Sequence, residues 1–252
     1  MPNACHQSAR SFVAVILPRG ATAWLLGSIL LACGGCGAAA SGYNTAGVRM
    51  YQQGQYQAAM QQFQQAVATQ PANADGYYNL ASTLHKMGTQ QKNSKMLDQA
   101  ETLYNQCLDV DRNHVDCHRA LAVLLVETNR SDKAFTLVKN WVTTNPRSAE
   151  ARIELARLYE EFGDKESATA FLQQALALEQ NNPRAWAALG KIREESGDVQ
   201  QALANYQRSL NLNRTQPGLP EKVAQLQRQS GIIPNTTSPN GTRTVQNSTP
   251  RY

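Results

Sequence analysis

The side chains best equipped for chemistry crowd into one short stretch. Cys107 is followed by Asp111, His114, Asp116, Cys117 and His118. Thiolates, neutral imidazoles and carboxylates are the ligands of zinc, and a metal-activated water would make the stretch catalytic. The spacing argues against both, because neither a C-x2-C nor an H-x3-H pair occurs there. Elsewhere the chain has no G-x-S-x-G, no H-E-x-x-H and no phosphate-binding P-loop. A metal-dependent envelope enzyme using the His114–His118 cluster is carried as the alternative from another class. No catalytic residue, metal or cofactor is assigned. Cys107 and Cys117 have a second chemistry open to them. In an oxidising compartment they can pair as a disulfide, or they can remain two separate buried thiols. The acid pairs Glu160-Glu161 and Glu194-Glu195 follow Arg157 and Lys191 at three and four residues. On a helix that spacing makes ion pairs on a solvated face, which is the simpler reading than a general acid–base pair.

One more thiol has chemistry that depends on its setting. Before Arg49 the only charged side chains are Arg10 and Arg19, and residues 21–32 are apolar or small. A helix of twelve residues is only about 18 Å long, too short to span a bilayer comfortably. A basic start followed by a short apolar run reads as an export signal. Its end, Leu30-Leu31-Ala32-Cys33, resembles the lipobox of bacterial lipoproteins. That resemblance implies cleavage before Cys33, a thioether-linked lipid on its sulfur, and anchoring at the periplasmic face of a bacterial envelope. Acyl chains hold a protein on a membrane without a spanning segment. Gly34 is not the Asp that favours inner-membrane retention, so the outer membrane is preferred over the inner. Residues 1–32 are then a cleaved signal and 33–39 a short tether.

These side chains must be held by something, and the sequence repeats. Tyr43, Gly47, Gly54, Tyr56, Ala59, Phe63, Ala66 and Pro71 form one set; Trp186, Leu189, Gly190, Gly197, Ala202 and Tyr206 form another. Both resemble the tetratricopeptide repeat, a helix–turn–helix unit of 34 residues. The register gives five repeats, 40–73, 74–114, 115–148, 149–182 and 183–216, in the region 40–216. Gly54, Gly88, Gly163 and Gly197 are expected at the turns, where a left-handed conformation favours glycine; Asn129 takes that place in the third repeat. Trp141 stands where a small residue is usual, so its junction must repack. Seven extra residues around 89–95 predict a longer loop or an extra helical turn in the second repeat. Residues 217–230 predict a capping helix with Val223, Leu226 and Leu219 on its apolar face, and 231–252 a disordered tail. The fold class is all-α. The resemblance implies a right-handed solenoid of five repeats with a C-terminal capping helix.

The family's usual site is the concave groove lined by the first helix of each repeat. Carried over, the partner-binding residues are Asn44, Tyr51, Tyr78, Ser82, His85, Arg119, Arg157 and Lys191. Val48, Asp116 and Ala120 depart from the clamp that some members use for chaperone C-termini. The expected function is a lipid-anchored scaffold or adaptor that takes an extended peptide or helix of a partner protein in the groove. A narrower reading resembles the pilotin lipoproteins that assist type IV pilus or secretion-system assembly. Nucleic acid is not an expected partner. The net charge is +5, but Arg10 and Arg19 belong to the signal. Lys222, Arg228, Arg243 and Arg251, against Glu221, supply the remaining surplus, so the repeats are electrically neutral.

Overall fold

The computed structural model describes residues 32–231. Residues 1–31 and 232–252, expected to be an export signal and a disordered tail, lie outside the described residues, as does the side chain of Cys33. The described residues are helical throughout, with short connections and no strand. They divide into two compact units, the first ending at Arg112 and the second beginning at Asn113.

The first unit holds α1 (Ala32–Gln52), α2 (Tyr56–Thr69), α3 (Ala74–Gln91) and α4 (Ser94–Val110). Helices α1 and α2 form one hairpin, α3 and α4 the next, and α2 packs on α3. Ala59, Phe63, Ala81, Ala100 and Tyr104 are its buried centre. Gly47 lets this centre close. A methyl group added there would lie 2.5 Å from the Phe63 ring, inside any tolerable contact.

Two expectations change here. Residues 34–39, read as a tether, belong to the helical backbone of α1, and Ala38-Ala39-Ala40 favours helix strongly. Gly88 is not a turn glycine. It is buried within α3, and a Cβ on it would meet Leu97 of α4 at 2.9 Å. Of the two forms expected for the seven-residue insertion, a longer loop or an extra helical turn, the structure has the helical one, and it lengthens both helices. Helix α3 has 18 residues where α5, α7 and α9 have 13. Helix α4 has 17 where α6, α8 and α10 have 14. The turn moves to Lys92, at φ 52°, and Asn93, whose side chain accepts from the Met96 N–H.

The second unit holds α5 (Val115–Glu127), α6 (Ser131–Thr144), α7 (Ala149–Glu161), α8 (Lys165–Leu178), α9 (Pro183–Glu195), α10 (Val199–Leu212) and α11 (Leu219–Gln229). Each helix packs on the next, and α5, α7 and α9 also touch in series. Gly163 and Gly197 turn with φ near 80°, and Asn129 does the same at 58°. Every start from α7 to α10 is capped by a side-chain oxygen, from Ser148, Asp164, Asn182 and Asp198 in turn. Such caps satisfy orphan N–H groups and define where each helix begins. Ala149, Ile153, Ala156, Leu172, Ala185 and Leu189 belong to one buried cluster. Val223 and Leu226 of α11 close a second on Ala202, Leu203 and Tyr206.

Candidate functional site

The thiol and imidazole stretch is occupied with structure. His114 is the cap of α5: its Nδ1 accepts the Cys117 N–H at 3.2 Å. His118 is buried and lies flat on Trp141, with ring centroids 4.1 Å apart and planes 8° from parallel. This is how the unusual Trp141 is accommodated: it is buried and the imidazole is its partner. Asp116 is paired with Arg119 at 2.9 Å. His114, His118 and Asp116 thus each have a structural contact in the second unit. Cys107 in the first unit and Cys117 in the second are both fully buried.

The groove residues of the first unit are held by their own neighbours. Asn44 accepts from Asn79 Nδ2 at 2.9 Å. Tyr51 meets Tyr56 edge-on at 5.1 Å. Tyr78 and His85 both pack around the buried Tyr104, and His85 Nδ1 is 3.4 Å from the Tyr104 hydroxyl. Ser82 is half-buried on α3. Tyr78 and His85 thus support the repeat as well as facing its surface.

In the second unit Arg119, Arg157 and Lys191 come into one system of charges. Its centre is a residue the groove positions did not single out, Glu154, which is completely buried on α7. Three guanidinium groups converge on it. Arg119 Nε donates from α5 at 2.7 Å, Arg157 Nε from α7 at 3.2 Å, and Arg184 Nη2 from α9. Arg184 also holds Glu150. A buried carboxylate is tolerable only when so paired. Further along, Lys191 of α9 lies 2.6 Å from Glu160 of α7, and Lys222 of α11 lies 2.6 Å from Glu194 of α9. Tyr206 donates its hydroxyl to Glu194 at 2.9 Å.

The expected intrahelical pairs are present, Arg157 with Glu161 at 2.9 Å and Lys191 with Glu195 at 3.9 Å. The shorter Lys191 contact crosses to the next helix. Each neighbouring pair in the series α5, α7, α9, α11 is therefore tied by at least one ion pair. The hydrogen bond to Glu160 raises the Lys191 pKa. Burial lowers that of Arg184 to about 10, with repulsion from Arg119 adding to it, so it stays charged at neutral pH. Burial, then the bond to Glu194, raises that of Tyr206.

Between α7, α9 and α11 this frame encloses an open cavity of about 670 Å³. Its apolar lining includes Ile153, Ala187, Ala188 and Leu219, and its charged lining includes Arg157, Arg184, Lys191 and Lys222. An apolar floor with a few convergent polar groups is the form of a binding cleft. Glu154, Lys222 and Tyr206 were missed because their roles depend on which helices adjoin; Arg184 falls at a groove position of the family register. One signal was visible: Glu154 is an acid inside the otherwise apolar run Ile153-Glu154-Leu155-Ala156.

Comparison with known proteins agrees with the helical repeats. A profile described as TPR repeat matches residues 47–88, and two described as tetratricopeptide repeat match 132–192 and 185–220. No curated protein sequence matches. A thermophilic TPR protein from Thermus thermophilus is similar over 75% of this chain and 98% of its own, with 25% identity and a TM-score of 0.58. PilF of Pseudomonas aeruginosa is similar over 78% of this chain and 88% of its own, with 17% identity and a TM-score of 0.52. The Cut9–Hcn1 hetero-tetramer of the APC/C shares the fold over 76% of this chain and 37% of its own, with 15% identity and a TM-score of 0.54.

Proposed function

The chain is a tetratricopeptide repeat protein, and on that premise we propose that it is a non-catalytic scaffold for partner proteins, held at a bacterial envelope by a lipid on Cys33. The observation that carries the binding role is the 670 Å³ cleft between α7, α9 and α11. Its walls are helices braced by ion pairs, so the surface is formed before a partner arrives. A preformed surface avoids the entropic cost of ordering itself on binding.

The direct test is photo-crosslinking in the native envelope. A crosslinking side chain at Ala187, in the cleft, is expected to capture a protein. One at Gln173, exposed on α8, serves as the comparison. Capture from Gln173 with none from Ala187 would move the site away from the cleft. The anchor rests on the lipobox resemblance and is tested separately. Cys33→Ser should abolish palmitate labelling, and labelling that persists would remove Cys33 from the proposal. No described helix is long and apolar enough to cross a membrane, so attachment by this route depends on the lipid. Outer-membrane placement rests on Gly34 following the cysteine.

The pairing of Cys107 with Cys117 belongs to the same proposal, because export brings an oxidising compartment. Unreduced, alkylated protein would then show neither thiol modified. The pilotin-like role is a narrower form of the scaffold. It rests on the order of export signal, lipobox and repeats, and the likeness to PilF is one of fold. Loss of secretin multimers in a deletion strain would support it.

A further inference from the structure

The cleft is electrically layered, and the layering selects its ligand. Three of its acids lie deep. The side chain of Glu154 is 0% exposed, that of Glu160 11% and that of Glu194 21%. Their partners lie above them: Arg157 is 30% exposed, Arg184 38%, Lys222 41% and Lys191 59%. In each ion pair that joins α7 to α9 or α9 to α11 the cation is the more exposed member. The charges nearly cancel in number, yet the surface offered to an approaching chain is made of guanidinium and ammonium groups. Glu195, at 40%, is the one well-exposed carboxylate of the lining, and Lys165 holds it at 3.2 Å.

We propose that the cleft between α7, α9 and α11 docks an acidic segment of a partner protein in extended form, with its carboxylates on Lys191, Lys222 and Arg184 and an apolar side chain on Ala187, Ala188 and Leu219. The proposal rests on the cleft being the partner site and adds the chemistry of the partner. The physical reason is charge complementarity. A carboxylate entering this layer approaches cations that are already partly desolvated, while the acids that would repel it are screened beneath them. A basic segment would meet the cations first. The chain's own tail is a poorer complement, since residues 232–252 carry Arg243 and Arg251 and no acidic side chain. The apolar floor asks for more than a free anion. It rewards an apolar side chain adjacent to the carboxylate, which leaves water on binding.

The experiment uses the mature chain from residue 33 with Cys33→Ser, so that it is soluble without lipid. The probe is a fluorescent peptide of alternating Glu and Leu, about eight residues long, with an extended span of about 27 Å. Anisotropy titrations compare it with its Gln/Leu and Lys/Leu analogues. The acidic peptide should bind about tenfold or more tightly than either analogue, and weaken as salt is raised. Lys191→Gln with Lys222→Gln should remove most of that preference. Both lysines are well exposed and Glu194 keeps the Tyr206 hydroxyl, so the fold should be retained; circular dichroism and a thermal melt verify this. Equal or tighter binding of the neutral or basic peptide overturns the proposal, as does no binding by any of the three. Binding that appears only after removal of residues 232–252, or that is blocked by self-association of the chain, assigns the cleft to the tail or to a second copy and also overturns it. Capture from Ala187 in the envelope alongside a failed acidic peptide would leave the scaffold reading standing and reject only this chemistry.

Discussion

At the scale of the residue, Glu154 matters most. Its carboxylate is the common acceptor for Arg119, Arg157 and Arg184, and it has no contact with water. Exposed ion pairs such as Arg157 with Glu161 contribute about 0–1 kcal/mol. Removing one partner of a buried pair costs about 3–5 kcal/mol, because the remaining charges are left unpaired. The three arginines are each about a third exposed, which moderates the loss. Glu154→Gln should therefore cost about 3 kcal/mol in chemical denaturation, and Glu161→Gln less than about 1.

Tyr206 gives a pH prediction at the same scale. Its pKa is raised in the folded chain by burial and by Glu194. Above about pH 10 the unfolded chain loses this proton first, so stability falls as pH rises. Lys191 is also raised, by its bond to Glu160. Its contribution is full below its unfolded pKa and is lost as pH climbs through the folded one. Arg184, lowered to about 10, acts in the opposite sense in that window. Tyr206→Phe isolates the tyrosine: it should flatten the alkaline fall in melting temperature. An unchanged slope would remove Tyr206 as its source.

At the scale of the element, glycine does two different jobs that look alike in sequence. Gly163 and Gly197 turn the chain at positive φ. Gly190 lies inside α9, and a Cβ there would sit 2.5 Å from the Tyr206 ring. Ala is a better helix former than Gly by about 1 kcal/mol, but a rigid ring cannot give way that far. Overpacking costs about 1–3 kcal/mol, so Gly190→Ala should be net destabilising by about 1 kcal/mol, and it should disturb the Tyr206–Glu194 bond beside the cleft.

Lys92 is the converse. It holds φ 52° at the displaced turn of the second repeat, where glycine carries no steric penalty. Lys92→Gly should raise stability by about 0.5 kcal/mol, the relief of left-handed strain outweighing the extra freedom of the unfolded chain. The repeat pattern made Gly88 look like a turn. It left open whether the inserted residues form a loop or an extra helical turn, and the structure absorbs them into α3 and α4. A helical backbone gains a hydrogen bond for each residue added, and Asn93 supplied a cap at the new boundary.

At the scale of the whole molecule, the surplus of positive charge belongs to the ends of the chain and the repeats are neutral. Electrostatics therefore acts locally, through the layered cleft, and not as a field over the folded domain. Helix α11 has a general role. It covers Ala202, Leu203 and Tyr206 with Val223 and Leu226, and it supplies Lys222 to the cleft. Truncation after Leu212 should expose that cluster and yield an aggregating protein by light scattering. Truncation after Gly231 keeps α11 and should leave the melting temperature within about 1 °C, since surface changes away from packed features scarcely alter stability.

The helical class, the turns at Gly54, Asn129, Gly163 and Gly197, and the buried faces were legible in the residues alone. They depend on interactions within about 34 residues, and local propensity and periodicity record those directly. The family register also placed Arg157 and Lys191 on a shared surface. Only the tertiary structure decided that Glu154 is the buried acceptor for three arginines, that Lys191 reaches across to Glu160, and that cations lie above acids along the cleft. Those facts depend on which helix adjoins which and at what depth each side chain ends. Packing sets both, and neighbouring residues in the chain carry no record of them.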